Sequence, residues 1–540
     1  MLELNDRLHP FVGLDVWRLL SERARRTGDR PFLVWQPYAT GGERTWTYAE
    51  LHRAAASVGS GLVRRGVNPG DRVLVHLENC PEFVIAWFAC AAVGAVAVTT
   101  NARSAGAELA YFAEDCEAVG AITQPKFAEL VSASAPWLRW QCMTDDDGGA
   151  PVGVGGDPDS FDALAGDPDD LPARPVDPLA PMSVQYTSGT TSRPKGVLWT
   201  HANALWGARV NAVHEDLHPD DCHLVYHPLF HTNGLAFSML ASLWVGARFV
   251  LVPKWSTSRF WDVSLRHRCT WLSLMGLSSR VLADGDAPWG HHYRLFGGAL
   301  CDTPLDAAYG VKTIGWWAMT ETISHGVVGS PYTPDRPMSM GRPAPEYRIA
   351  VVGDDGATPV DVGETGHLLV KGVRGLSLFA EYLNQPQATA DAFDERGWFR
   401  TGDLVTVHPD GYLSFADRAK DVLRVGAENV AASEVERVLI ATGSVVEAAV
   451  VSRPDDKLDE VPVAFVVARR ADDGLAQALI EACTAELAPF KVPRAVYCVR
   501  ELPRSTLGKV NKVELRRVAE PGADRSAAEA RWLQILEAGD

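Results

Sequence analysis

Glycine, hydroxyls and a single cation crowd together in Tyr186-Thr187-Ser188-Gly189-Thr190-Thr191-Ser192-Arg193-Pro194-Lys195-Gly196-Val197, and few folds accommodate such a run. Gly189 removes the side chain that would hold backbone N–H groups away from an anion, and the Thr and Ser hydroxyls add donors that turn with phosphate oxygens. Lys195 supplies a compact positive charge. A Walker-type loop needs Ser or Thr directly after its lysine, opening a helix; here Gly196, Val197 and Leu198 follow Lys195 and read as a strand. The plain alternative is a solvated Ser/Thr/Gly connector. The Arg193-Pro194-Lys195-Gly196 continuation makes the match to a polyphosphate cradle much longer than a lone glycine motif, so the segment points to a nucleotide enzyme.

Strand-like runs such as Arg72 to Leu77 and Ala247 to Val252 alternate with amphipathic stretches such as Tyr48 to Arg65, which argues for parallel α/β layers. At 540 residues the chain exceeds one hydrophobic core, so two or more domains are expected. The longest apolar run, Phe83 to Val98, is shorter than the roughly 20 residues of a membrane span and reads as a buried helix leading into a strand. Between Thr144 and Pro181, Asp, Gly and Pro dominate, as in a solvated connector. Short runs between Gly341 and Val373 suggest a small β-rich subdomain. Past Asp417 a compact segment of helices and strands runs to about Val518, and Ala527 to Leu536 is expected to form a last helix.

A formal net charge of −17 disfavours nucleic acid or an anionic membrane as partner, so any anionic ligand must sit on a local basic island. Nine cysteines without a Cys-x-x-Cys pair suit reduced thiols in a cytoplasmic protein, with neither a zinc site nor a disulfide framework. Asp and Glu in Met1 to Pro10 replace the basic start of a secretory signal, so no export is expected.

Further motifs follow the loop in order: Pro228 to Gly234, Gly297-Gly298-Ala299, Trp317-Ala318-Met319-Thr320-Glu321-Thr322, Gly397 to Asp403, Asp417 to Asp421, and Pro503 to Val510. Together these resemble the adenylate-forming superfamily, which includes acyl-CoA synthetases, peptide-synthetase adenylation domains and beetle luciferases. Within it the chain is most similar to bacterial carnitine or crotonobetaine CoA ligases, sharing Glu78 to Phe83, Asn101-Ala102-Arg103 and Asn384 to Thr389.

The resemblance implies an α/β fold: a large N-terminal domain of layered parallel α/β sheets with a small β-rich subdomain over 1–418, a small mobile α+β domain over 419–518, and a tail helix over 519–540. It implies an AMP-forming acid–thiol ligase that joins a small-molecule carboxylic acid to CoA by way of an acyl-adenylate, with ATP and CoA as co-substrates and Mg²⁺ as cofactor. Lys509 is implied to bridge the carboxylate and the α-phosphate, Glu321 to hold Mg²⁺, and His231 to gate the thiol passage. Thr187, Ser188, Gly189, Thr190, Thr191 and Lys195 fall in the polyphosphate loop, and Thr320 on the α-phosphate. Trp317, flanked by Trp316, Ala318 and Met319, stacks on adenine against the thin wall of Gly297, Gly298 and Ala299. Asp403 and Arg418 reach the ribose, and Lys420 is the hinge about which the small domain turns. That rotation carries Lys509 away and brings in the Arg424 to Asn429 loop, where Gly426, Ala427 and Glu428 line the passage for pantetheine. His231, Thr232, Asn233 and Gly234 edge the acyl pocket.

Amino-acid-activating relatives usually carry an Asp where His231 stands, and an imidazole supplies no fixed negative charge, so α-amino acids are unexpected substrates. No carrier domain is expected after Val518; a free-standing enzyme that loads a separate carrier protein is the alternative, and a luciferase-like activity or a non-catalytic scaffold are remoter ones. Three departures stand out: Ala318 and Trp316 where smaller residues are usual, and Ala432 where Pro is usual. Trp244, Trp255, Trp261, Trp271, Trp316 and Trp317 crowd the middle of the chain, some as core and some as a wall for an apolar ring or a quaternary ammonium. Acylation of Lys509 would neutralise its charge and is expected to stop adenylation. The identity of the acid and the oligomeric state, a homodimer included, stay open at this level.

Overall fold

The computed structural model describes residues 9–39, 42–104, 106–147, 150–151, 159–187, 194–274, 278, 282, 290–418, 423–425, 428–430, 432–455, 458–470, 474–487, 489–504, 510–520, 522–523 and 525–529. Two compact units emerge: 1–349 with 370–399 and 410–413, and 350–369 with 400–409 and 414–540.

The first unit is built on two sheets. Seven strands lie in the order Glu381–Tyr382, Lys195–Thr200, Pro181–Thr187, Val96–Thr99, Arg72–His76, Gly120–Thr123 and Gln141–Met143. The last five pair in parallel, while Lys195–Thr200 is antiparallel to both its neighbours. The nine-stranded sheet has a parallel centre running from Pro31–Trp35 through Arg248–Leu251, Cys222–Val225, Trp271–Ser273 and Leu295–Gly298 to Lys312–Trp317. Strands of this kind are covered on both faces, which is why Val73-Leu74-Val75 and Val96-Ala97-Val98 read as continuous apolar runs.

The expected buried helix is Pro81–Val93: Pro81 opens it where a backbone N–H is dispensable, and Gly94 closes it in the left-handed conformation at φ 85°. It is buried along its whole length and delivers the chain into Val96–Thr99. Asn79, just before it, uses both ends of its amide: Nδ2 donates to the carbonyls of His227 (3.0 Å) and Val252 (3.2 Å), and Oδ1 accepts from Leu229 N (2.9 Å). One buried side chain thus fastens the ends of strands from both sheets. The helix Tyr48–Arg64 starts on a capping box between Thr47 and Glu50.

The connector 144–181 is not wholly solvated. Ser160 caps a single turn, Phe161–Leu164, and Leu164 is fully buried. Its carbonyl comes so close to Gly61 that any Cβ there would collide with it.

In the second unit, Arg348–Val352, Thr365–Lys371, Phe399–Val407 and Leu413–Arg418 form the small β-rich sheet in that order. The C-terminal part centres on Asp459–Ala468, paired with Val445–Asp455, Leu423–Val425 and, in parallel, Ala495–Cys498. Successive side chains of this strand point to opposite faces. Ala464 and Val466 pack with residues of Ala432–Ala441 and Leu475–Glu486, whereas Val463 and Phe465 pack with Leu515 and Val518 of Lys512–Ala519. The large parallel-sheet domain and the smaller α+β domain are those the sequence predicts. Of the expected tail helix, Ser526–Glu529 is helical and residues 530–536 lie outside the described residues. Among the described residues no helix is long and apolar enough to cross a membrane.

Candidate active site

The antiparallel strands Pro181–Thr187 and Lys195–Thr200 pair Thr187 with Lys195, which brings the two described ends of the polar run side by side. Thr187 Oγ1 donates to the Lys195 carbonyl at 3.4 Å. Ser188, Gly189, Thr190 and Thr191 lie outside the described residues. Lys195 Nζ sits 4.6 Å from the centre of the Tyr382 ring, and the Tyr382 hydroxyl donates to Glu321 Oε1 at 2.9 Å. The loop cation and the expected metal carboxylate, from motifs far apart in the chain, are therefore joined through one side chain. Tyr382 reaches this place because its two-residue strand pairs with Val197. Burial and the adjacent carboxylate push its hydroxyl far above the ordinary phenol range, so it remains a donor. Sequence reasoning passed over Tyr382, although it lies two residues before the quoted Asn384 to Thr389 segment.

Glu321 is 4 % exposed and lies in a turn. Thr322 shapes that turn: its Oγ1 accepts from Met319 N (2.9 Å). Ala318, Met319 and Thr320 are half-buried beside it. Thr320 is fixed through its carbonyl, which accepts from Trp199 Nε1 (2.9 Å), and its Oγ1 is 3.4 Å from Thr232 Oγ1. Thr232 Oγ1 also lies 3.0 Å from Gln185 Oε1, and Asn233 Nδ2 donates to Ser273 Oγ (2.9 Å). His231 N closes a turn onto Pro228 O (3.0 Å), with the Phe230 ring edge-on to its imidazole at 4.7 Å. Gly234 is demanded by this turn: a Cβ there would lie 2.6 Å from the Pro228 carbonyl and 2.8 Å from that of His227. Thr232, Asn233 and Thr320 thus converge on the carboxyl ends of the parallel strands, the usual place for a ligand in such sheets.

Trp316 and Trp317, adjacent on Lys312–Trp317, face opposite ways. Trp317 backs onto Gly326, whose added Cβ would stand 3.0 Å from its ring. Trp316 lies against Gly297 and stacks between Trp271 (5.8 Å, 11°) and His325 (4.4 Å, 10°), with Phe237 edge-on at 5.9 Å. Of the other tryptophans, Trp255 and Trp261 pack on the core around Phe260 and Tyr293. Gly297 and Gly298 end their strand buried, and Ala299 is exposed just beyond it. A Cβ on Gly297 would collide with both Trp316 and Trp271. Gly297→Ala is therefore expected to lower stability by about 1–3 kcal/mol, the usual cost of overpacking, as read by denaturant unfolding; an unchanged midpoint would contradict this packing.

Asp403 belongs to the second unit, 1 % exposed on Phe399–Val407, with its N–H bonded to Thr401 Oγ1 at 3.0 Å. Arg418 and Glu428 lie on strands, but their side chains are outside the described residues, as are Lys420, Gly426, Ala427 and Lys509 altogether.

No group of three or more His, Cys, Asp or Glu among the described residues is arranged to hold a metal unaided. The single carboxylate of Glu321, beside Thr320, instead suits a hard cation that keeps water and takes further oxygens from a polyphosphate. Tyr382→Phe keeps the ring under Lys195 and removes only the bond to Glu321. It is expected to raise the Mg²⁺ concentration needed for half-maximal rate by about tenfold, the worth of one hydrogen bond to a charged group. A magnesium titration indistinguishable from the parent's would dismiss the link.

The AMP-binding enzyme family model matches residues 20–383, and the model for the C-terminal domain of AMP-binding enzymes matches 434–509. The crotonobetaine/carnitine–CoA ligase of Salmonella paratyphi C is 32% identical over 521 residues, covering 93% of this chain and 99% of that protein. The anthranilate CoA ligase solved with anthranoyl-AMP superposes with a TM-score of 0.82 at 25% identity, covering 96% of this chain and 98% of that one. The o-succinylbenzoate coenzyme A synthetase of Bacillus subtilis, solved with ATP and magnesium ion, gives 0.79 at 26% identity, covering 93% and 99%. This chain, which joins Lys195 to Glu321 through Tyr382, belongs to the AMP-binding enzyme family.

Proposed function

We propose that this chain is an ATP-dependent acid–CoA ligase that works in two half-reactions at one site. A carboxylate oxygen of the acid attacks the α-phosphorus of ATP, the bond to the β-phosphate breaks, and pyrophosphate leaves. The CoA thiol, losing its proton, then attacks the acyl carbon; the acyl–oxygen bond breaks and AMP leaves with its electron pair. The observation that supports this reading is the joining of Lys195 and Glu321 through Tyr382, which sets one cation and one carboxylate close together, the pairing that a polyphosphate and its metal would need.

Lys195 and the hydroxyls from Thr187 to Thr191 hold the β- and γ-phosphates, Thr320 the α-phosphate, and Glu321 the Mg²⁺ that offsets their charge. Trp317 and the edge Gly297-Gly298-Ala299 enclose adenine; Asp403 and Arg418 bind ribose. His231, with Thr232, Asn233 and Gly234, borders the acyl group. Lys509 bridges acid and α-phosphate in the first half-reaction, and a turn about Lys420 exchanges it for Gly426, Ala427 and Glu428 in the second. The domains assigned to these roles are 1–418 and 419–518, with 519–540 as tail. A cytoplasmic setting belongs to the same reading, supported by nine cysteines that are all buried free thiols.

The relatives that support this reading act on different acids by name, crotonobetaine or carnitine, anthranilate and o-succinylbenzoate, so the acid is not carried over from any one of them. A panel of carboxylic acids with ATP, Mg²⁺ and CoA, read by mass spectrometry, tests the assignment. Acyl-CoA and AMP from one class of acid is the expected result; acyl-adenylate that CoA leaves untouched, but that a phosphopantetheinyl carrier protein consumes, would reassign the acceptor.

A further inference from the structure

Three side chains of the first unit stand in a row that ends at Thr320, the residue assigned to the α-phosphate. Gln185 lies near the end of Pro181–Thr187, Thr232 lies in the turn before Gly234, and Thr320 lies beside Glu321. Gln185 is 3 % exposed and Thr232 8 %, whereas Thr320 is half-buried, so the row runs from the interior toward the open side of the site.

Hydrogen bonding along such a row has a direction, because a hydroxyl carries one hydrogen and an amide oxygen can only accept. Thr232 Oγ1 donates to Gln185 Oε1 at 3.0 Å, which uses the single hydrogen of Thr232. The 3.4 Å between Thr232 Oγ1 and Thr320 Oγ1 is longer than a formed bond between two hydroxyls, so this contact does not fix Thr320. At the inner end Gln185 Nε2 is buried, carries two hydrogens and has no hydrogen-bond partner among the described residues. A buried amide N–H left unbonded is uncommon in a folded protein and calls for a reason.

A phosphate at Thr320 reverses the direction that the row requires. To donate to the anion, Thr320 must turn its hydrogen outward and offer its lone pairs to Thr232. Thr232 then donates to Thr320 and gives up Gln185 Oε1, so that its own lone pairs face the amide and call for a donor. Half a turn about the last side-chain bond of Gln185 supplies one, exchanging Oε1 for Nε2 within the same outline; such terminal torsions are broad and nearly two-fold. Because Nε2 has no bond to lose, the turn breaks nothing else.

We propose that Gln185 is a positioning residue for adenylation: with ATP in place its amide turns over, so that Gln185 Nε2 donates to Thr232, Thr232 to Thr320, and Thr320 to the α-phosphate. The inference rests on the acid–CoA ligase reading, which puts Thr320 on that phosphate. Donors polarised in one direction strengthen the last bond of the row, and that bond counts most as charge gathers on five-coordinate phosphorus.

The test measures acid-dependent exchange of labelled pyrophosphate into ATP with carnitine, crotonobetaine, anthranilate, o-succinylbenzoate and hexanoate, and takes the best of these acids forward. Gln185→Met keeps the length of the side chain and removes both polar atoms. It is expected to lower the maximal exchange rate about tenfold, the worth of one hydrogen bond to a charged group, with the KM for ATP within about twofold. Thr232→Val should do the same, while Thr232→Ser, which keeps the hydroxyl, should stay within about threefold of the parent. The double variant Gln185→Met/Thr232→Val should lie within about twofold of either single one, because the amide acts only through the hydroxyl. Side chains that merely filled space would give independent losses that multiply to about a hundredfold. Multiplying losses, a Gln185→Met rate equal to the parent's, or Thr232→Ser as slow as Thr232→Val would each overturn the inference alone, and the last comparison decides even where Gln185→Met does not fold. A parent that exchanges with none of these acids, or without any acid, would overturn the ligase reading beneath it, and the inference with it.

Discussion

Replacing Lys509 by alanine is expected to lower acid-dependent adenylation by about 10³-fold, while thioester formation from a supplied acyl-adenylate and CoA stays within a few-fold of the parent. The asymmetry follows from charge. In the first half-reaction two anions, a carboxylate and an α-phosphate, must meet as phosphorus becomes five-coordinate, and a cation between them is worth most at that moment. In the second, a thiol meets a neutral acyl carbon, and the same cation has no comparable task. Acylation of Lys509 removes the same charge and should reproduce the defect. A Lys509→Ala protein that adenylates at the native rate, or loses both half-reactions alike, would remove this residue from its assigned role.

Glu321→Gln is the second change with a large expected effect. The glutamine keeps the shape of the side chain and an oxygen for the Tyr382 hydroxyl, which donates to Glu321 Oε1 at 2.9 Å, but it loses the full negative charge a hard cation requires. Adenylation is expected to fall by about 10²–10³-fold at fixed Mg²⁺, with partial recovery as Mg²⁺ is raised. Tyr382→Phe should move along the same axis by a smaller step, because it disturbs the orientation of the carboxylate and not its charge. If Glu321→Gln and the parent titrate identically with Mg²⁺, Glu321 is a structural carboxylate of the turn and no more.

Much of the first unit was legible before any coordinates. The reading of Gly196-Val197-Leu198 as a strand, against the helix that a Walker loop would open, matches Lys195–Thr200. The run Phe83 to Val98 is a buried helix leading into a strand, as its length suggested, with the division at Gly94. What stayed hidden depended on pairing between distant segments. Tyr382 meets Glu321, 61 residues away in sequence, only because a two-residue strand adds to the edge of a sheet, and so short a strand has no periodicity to read. Leu164 sits in an acidic, proline-rich stretch whose composition signals solvent, yet Gly61 leaves room for its carbonyl against a helix. Asn211, His214 and Glu215 look like the polar end of an exposed helix; their burial follows from the strand and turn segments around Trp271 and His325 that cover them. The tryptophans had to be sorted by structure, since Trp255 and Trp261 are core while Trp316, one residue from Trp317, faces the opposite side of its strand.

The central claim is that one enzyme first adenylates a carboxylic acid and only then forms a thioester. Sequential addition tests it most directly: ATP, Mg²⁺ and labelled pyrophosphate first with and without acid, then CoA. The account predicts exchange of label into ATP only when acid is present and without any CoA, followed on CoA addition by acyl-CoA and AMP in equal amounts. Exchange that needs no acid, or products that appear as ADP and phosphate, would contradict it.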